Sequence, residues 1–167
     1  MARLVPYVIG FAGYSDSGKT TLISKLTFSL KQKGYRVAVI KHDAHGHYKE
    51  VPGVDSTNFI ESGADSVITV SPQAIHRYDK LAYIDIQVIV ATLQDVEYIL
   101  IEGFKSEIYH QIAVFRNAEQ SRIVHKLSKQ AIAIVTSMEY AHSVVPVFHL
   151  DDVAAIVSFL ESKVWEL

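Results

Sequence analysis

The chain has 167 residues, the length of one domain, and 49% of them are apolar, enough to fill one substantial core. Its formal charge of −2 leaves no general basic field, so composition does not suggest nucleic acid as a partner, and the lack of cysteine removes disulfides, thiolate metal sites and cysteine nucleophiles together. No apolar segment approaches the roughly 20 residues needed to span a bilayer, and the first apolar run is interrupted by Pro6 and Gly10, so a soluble, cytoplasmic protein without a signal peptide is expected.

Tyr7 to Ala12 is a short apolar run of the kind that makes a buried parallel strand. It leads into Gly13-Tyr14-Ser15-Asp16-Ser17-Gly18-Lys19-Thr20, which fits the spacing Gly, four residues, Gly-Lys-Ser/Thr. Leu22, Leu26 and Leu30 then recur every fourth residue, so strand, loop and helix come in the order a phosphate-binding loop requires. Gly13 and Gly18 let backbone N–H groups approach phosphate oxygens, and the helix start adds its positive dipole end. Lys19 supplies a point charge for the β- and γ-phosphates, and the Thr20 hydroxyl is a hard oxygen ligand for Mg²⁺. The plainer reading is a strand-to-helix turn marked by small residues.

The helix runs to about Lys33 and stops at Gly34. Arg36 to Lys41 is a second strand, parallel to the first after a crossover, with His42-Asp43-Ala44-His45-Gly46-His47 at its carboxyl end, where ligands bind in open parallel sheets. Asp55 to Gly63 reads as a short helix capped by Asp55 or Ser56. Asp65 to Val70 is a strand that Ala74 to Tyr78 can join as an antiparallel hairpin. Tyr83 to Leu93, rich in β-branched residues, is taken as helix on topology. Glu97 to Lys105 is a buried strand ending in Glu102-Gly103, followed by strands at Gln111 to Phe115, ending in Arg116, at Ala131 to Val135, and at Val144 to Phe148. Asp151 and Asp152 open a last amphipathic helix with Val153, Ile156, Val157, Leu160 and Val164 on its apolar side. The pattern predicts a single α/β domain over residues 1–167, a mostly parallel sheet flanked by helices on both faces, with a β-hairpin extension.

A nucleotide carried with Mg²⁺ needs a carboxylate near the loop, and two strand ends offer one. Glu102 follows four apolar residues in the position of the second nucleotide-binding motif, and Asp43 ends the second strand. Their plainer readings are a carboxylate bonded to a helix N-terminus and an ordinary turn residue. His42, His45 and His47 invite a zinc reading, but a structural zinc site takes four protein ligands and usually includes cysteine, so contact with water, phosphate or a second substrate is the alternative.

Gly13 to Leu22, Ile-Lys-His-Asp-Ala-His-Gly at Ile40 to Gly46, Asp55-Ser56 with Ser62-Gly63-Ala64, and Ile-Glu-Gly-Phe-Lys at Ile101 to Lys105 together resemble the MobB family, molybdopterin-guanine dinucleotide biosynthesis protein B. Val114-Phe115-Arg116 and Pro146 to Leu160 fit the same resemblance. It implies a P-loop NTPase-like fold and a GTP-binding, weakly hydrolysing accessory protein. Such a protein assists a separate nucleotidyltransferase in joining GMP to molybdopterin, with molybdopterin itself a further candidate ligand. It also implies a homodimer, for which the segment around Val67 to Tyr78 is a candidate pairing element. By position, Gly13, Ser15, Asp16, Ser17, Gly18, Lys19, Thr20 and Thr21 bind phosphates; Thr20, Asp43 and Glu102 hold Mg²⁺; Lys19 and Glu102 serve turnover. After the Val135 strand the chain reads Thr136-Ser137-Met138-Glu139 where guanine readers commonly offer aspartate, which makes Glu139 the acceptor candidate. A P-loop small-molecule kinase is the alternative, although such kinases usually carry an arginine-rich lid and only Arg77, Arg116 and Arg122 occur in the later chain.

Overall fold

Six apolar segments pair into one sheet in which every ladder is parallel, and a second, smaller sheet is a hairpin. This computed structural model describes residues 5–43, 46, 48–104, 109–127, 129–141 and 144–162. In chain order the elements are β1 (Tyr7–Ala12), α1 (Lys19–Gln32), β2 (Val37–Lys41), α2 (Asp55–Glu61), β3 (Ser66–Val70), β4 (Ile75–Asp79), α3 (Ile86–Thr92), β5 (Tyr98–Glu102), β6 (His110–Phe115), a 3-10 helix (Gln120–Lys126), β7 (Ala133–Thr136), β8 (Val147–His149) and α4 (Val153–Ser162). They divide into two compact units, Met1–His42 with Thr92–Leu167, and Asp43–Ala91. Among the described residues no helix is long and apolar enough to cross a membrane.

In the first unit the strand order is β2-β5-β1-β6-β7-β8. A parallel sheet buries both faces, which is why β5 and β7 read as continuous apolar runs. Alternate side chains divide between two cores. Ile9, Phe11, Leu100, Ile112, Val114 and Val135 pack with Leu22, Ile23, Leu26 and Leu30 of α1 and Ile156, Val157 and Leu160 of α4. Each of these large side chains contributes about 1.5–3 kcal/mol on burial. On the opposite face Ala12, Ala113, Phe115 and Ile134 pack with Ile123 of the 3-10 helix. Lys25–Asp151 at 3.0 Å and Lys33–Glu161 at 2.8 Å link α1 to the α4 region. Helix α1 ends as the sequence predicts: Gly34 N–H donates to Lys31 C=O (3.0 Å) and Tyr35 N–H to Leu30 C=O (3.2 Å), the Schellman pattern.

The ladder registers position the site. Phe11 lies opposite Glu102, Lys41 lies opposite Glu102, and Ala12 lies opposite Ala113, so β1, β2, β5 and β6 end at one edge. The last strand is shorter than the sequence suggests and begins after Pro146. Proline has no N–H to donate, but its carbonyl accepts from Ile134 N–H at 2.9 Å.

In the second unit β3 and β4 form the expected antiparallel hairpin, with Val67 opposite Tyr78 and Thr69 opposite His76. Ser71 closes it, its N–H (2.9 Å) and its hydroxyl (3.0 Å) both donating to Ala74 C=O. Tyr83 to Leu93 does contain a helix, α3. The expected cap of α2 is corrected: Asn58 N–H donates to Val54 C=O at 3.1 Å, so Val54 is the N-cap and carries no side-chain cap. Asp55 instead sits in the first turn, where its charge faces the positive helix end. Val164 lies outside the described residues.

Candidate functional site

The chain leaves β1 at Ala12 and enters α1 at Lys19, and the six residues between them close a concave loop. Two positive backbone angles bend it, φ 59° at Asp16 and φ 94° at Gly18. Aspartate tolerates this region better than most residues, and glycine enters it without cost. Gly13 is required by space: a Cβ there would fall on the Val114 carbonyl and within 2.5 Å of Ser17 Oγ. Ser17 is fully buried, and its N–H donates to Tyr14 C=O at 3.3 Å. A glycine-containing loop at a helix start is suited to hold an anion, and the dipole of the 14-residue α1 adds to this.

Two side chains hold poised polar groups over this loop. Lys19 Nζ donates to Tyr14 C=O (2.6 Å) and Ser17 Oγ (3.3 Å), so its ammonium is folded onto the loop. Thr20 Oγ1 donates to Glu102 Oε1 at 2.8 Å, joining the first turn of α1 to the end of β5. Neighbouring ligands of an octahedral ion at about 2.1 Å stand about 3 Å apart, so this hydroxyl and carboxylate fit adjacent positions on Mg²⁺. Thr21, at the third position of α1, is exposed, and Ser15 C=O accepts from Gln120 Nε2 at 3.2 Å.

Thr20 and Glu102 are thus brought together, whereas Asp43 belongs to the second unit, where its Oδ2 accepts from Tyr48 N–H at 2.6 Å. His42 remains beside Glu102: its N–H donates to Glu102 C=O (2.9 Å) and its ring stacks on Phe104 with centroids 4.1 Å apart. His45, His47 and Lys105 lie outside the described residues. Among the described residues no cluster of three or more His, Cys, Asp or Glu side chains suits a metal. Glu139 is exposed beyond β7, where Met138 N–H donates to Thr136 Oγ1 at 3.3 Å.

Arg116, just past β6, and Gln120, at the start of the 3-10 helix, join the site although the sequence gives neither a role at the loop. The Arg116 guanidinium packs on Gly18, with Nε and Nη2 each 3.0 Å from where a Cβ on Gly18 would stand. Gln120 Oε1 accepts from Arg116 N–H at 2.9 Å while Nε2 reaches Ser15 C=O, so one amide ties the strand end to the loop. In the sequence Arg116 ends a strand, belongs to the Val114-Phe115-Arg116 stretch of the resemblance and is one of the few later arginines, with no role at the loop. Its place beside the loop follows from β6 pairing with β1, a neighbour relation that no local pattern encodes. Near it, Asp151 is held below the usual carboxylate range by the Lys25 ammonium first, with smaller contributions from His149 and Arg116.

The parallel sheet and the loop at the end of β1 define a P-loop NTPase-like fold. Two solved structures superpose on nearly the whole chain. One, described as molybdopterin-guanine biosynthesis protein B, has a TM-score of 0.75 at 26% identity and covers 96% of this chain and 100% of its own. The other, Bacillus subtilis MobB, has a TM-score of 0.74 at 23% identity over 95% and 98% of the two chains. The family model for molybdopterin guanine dinucleotide synthesis protein B, MobB, matches residues 8–137, and the chain belongs to that family. It is 34% identical over 140 residues to the molybdopterin-guanine dinucleotide biosynthesis adapter protein of Haemophilus influenzae, spanning 78% of this chain and 74% of the relative. The Escherichia coli protein of the same name is 28% identical over 158 residues, 92% of this chain and 90% of the relative.

Proposed function

We propose that this chain binds GTP with Mg²⁺ at the Gly13–Thr20 loop and acts as an adapter in making the guanine dinucleotide form of the molybdenum cofactor. In that role it assists a separate nucleotidyltransferase that joins GMP to molybdopterin. The observation that carries nucleotide binding is the 2.8 Å pairing of Thr20 Oγ1 with Glu102 Oε1 above the loop. The adapter role is supported by family membership and by the name its relatives bear.

On binding, the Lys19 ammonium exchanges Tyr14 C=O and Ser17 Oγ for phosphate oxygens, and the loop N–H groups receive the phosphate chain. Thr20 and Glu102 would hold Mg²⁺, which supplies charge neutralisation across the β- and γ-phosphates. Glu102 then also orients water for slow hydrolysis. Asp43 is a further candidate metal ligand on its sequence position, and Glu139 a candidate acceptor for guanine protons. The homodimer reading is supported by the hairpin, where Val70 lies opposite Ile75 and both are more than two-thirds exposed.

Reconstitution tests the adapter role. GTP, Mg²⁺, molybdopterin and a candidate nucleotidyltransferase should yield guanine dinucleotide faster with this protein than without it, and equal rates would refute it. Glu102→Gln should slow Mg²⁺-dependent GTP turnover more than it weakens GTP binding; unaltered turnover would make Glu102 structural.

A further inference from the structure

We infer that Arg116 is a nucleotide-binding residue, supplying a second cation on the α-phosphate side of the bound guanine nucleotide. This rests on the GTP reading above and deepens it. The metal pair defines a direction along the sheet edge. Thr20 Oγ1 meets Glu102 on β5, and this pair would hold Mg²⁺ on the terminal-phosphate side of a bound nucleotide. Strand β6 lies on the other side of β1, so the remainder of the nucleotide, beginning with the α-phosphate, extends over the end of β6. Arg116 is the first residue past that strand.

Its guanidinium is already at the loop. Nε and Nη2 stand 3.0 Å, and Cζ 3.3 Å, from the position of a Cβ on Gly18, the N-cap residue of α1. Its backbone is fixed there, since Gln120 bridges Arg116 N–H and Ser15 C=O. The exposed Asp151 carboxylate is salt-bridged at 3.0 Å to Lys25, and Arg116 adds only a smaller attraction to it. A guanidinium presents two parallel donors to a phosphate, so an incoming phosphate gains a charge-assisted bidentate contact from Arg116. A cation at the α-phosphate recognises what GDP and GTP share. Lys19, facing the β- and γ-phosphates, recognises what distinguishes them.

Titration calorimetry of GTP and of GDP, each with Mg²⁺, against the wild type, Arg116→Ala, Arg116→Lys and Lys19→Ala separates these roles. Arg116→Ala should weaken both nucleotides by a similar factor of about ten to a hundred, with Arg116→Lys between it and the wild type. Lys19→Ala should weaken GTP more than GDP. Unchanged affinities in Arg116→Ala would overturn the inference, as would a loss confined to GTP or one matched by a fall in ligand-free melting temperature. With wild-type GTP binding and the Lys19→Ala loss intact, those results would fail Arg116 alone. A wild type that does not bind GTP would fail the underlying reading and Arg116 with it.

Discussion

The parallel-sheet unit and the hairpin unit are built from similar β-branched and apolar residues but treat them in opposite ways. In the first, successive residues Ile99, Leu100 and Ile101 of β5 are all buried, on both faces of the sheet. In the second, Ile68 is 54%, Val70 72% and Ile75 69% exposed. A two-stranded hairpin has too little surface to cover its own side chains, and both outer strand edges keep backbone groups ready to pair. The contrast separates two uses of the same composition. Apolar residues are packed away along the strands that carry the loop in one unit and are left exposed in the other.

Cutting the first unit's core should have the largest effect on stability. Leu100→Ala removes a fully buried side chain and should cost about 2–5 kcal/mol, read as a lower urea midpoint. A cost below 1 kcal/mol would mean that the β5 core is not packed as described. The same kind of change in the hairpin should behave differently. Ile68→Ser should alter unfolding free energy by no more than about 0.5 kcal/mol in dilute solution, yet shift sedimentation of concentrated protein toward the monomer. A large loss of stability in dilute solution would make the hairpin a core element and erase the contrast.

The smallest effect concerns charge. Glu161, bonded by Lys33 and then Tyr35, Glu97, bonded by the Arg36 N–H, and Asp151, bonded by Lys25, all titrate below their ordinary values in the first unit. In the second unit Asp79 does so, through the Ser66 hydroxyl first and then Arg77. A folded pKa below the unfolded one gives stability that is full at neutral pH and is lost as pH falls below about 4, through the lowered folded values. Because these groups are largely solvated, Glu161→Gln should only slightly flatten the acid limb of the stability curve, and a steeper limb would refute the assignment.

Much of this was legible from the chain. The phosphate loop, α1 with its Gly34 stop, the hairpin and the carboxylate at the end of β5 follow from period, turn chemistry and motif, all of which are local. The 3-10 helix was not legible, because Gln120 to Lys126 has neither the length nor the repeat of an amphipathic helix. Arg116 and Gln120 at the loop depend on which strand neighbours β1, and sequence separation hides that: β1 pairs with β5 and β6, about a hundred residues away. The cap of α2 misled for a different reason. Asp55 and Ser56 are both good caps, but the Val54 carbonyl accepts the first helical bond and leaves them inside the turn.

Whether the loop from Gly13 to Thr20 holds the phosphates of GTP is decided by calorimetry of Mg²⁺-GTP against the wild type and Lys19→Ala. The wild type should show a measurable affinity for GTP and weaker binding of ATP, and the variant a loss of about ten- to a hundred-fold, equivalent to about 1.5–3 kcal/mol. Equal GTP affinity in the two proteins would contradict this and put the nucleotide elsewhere.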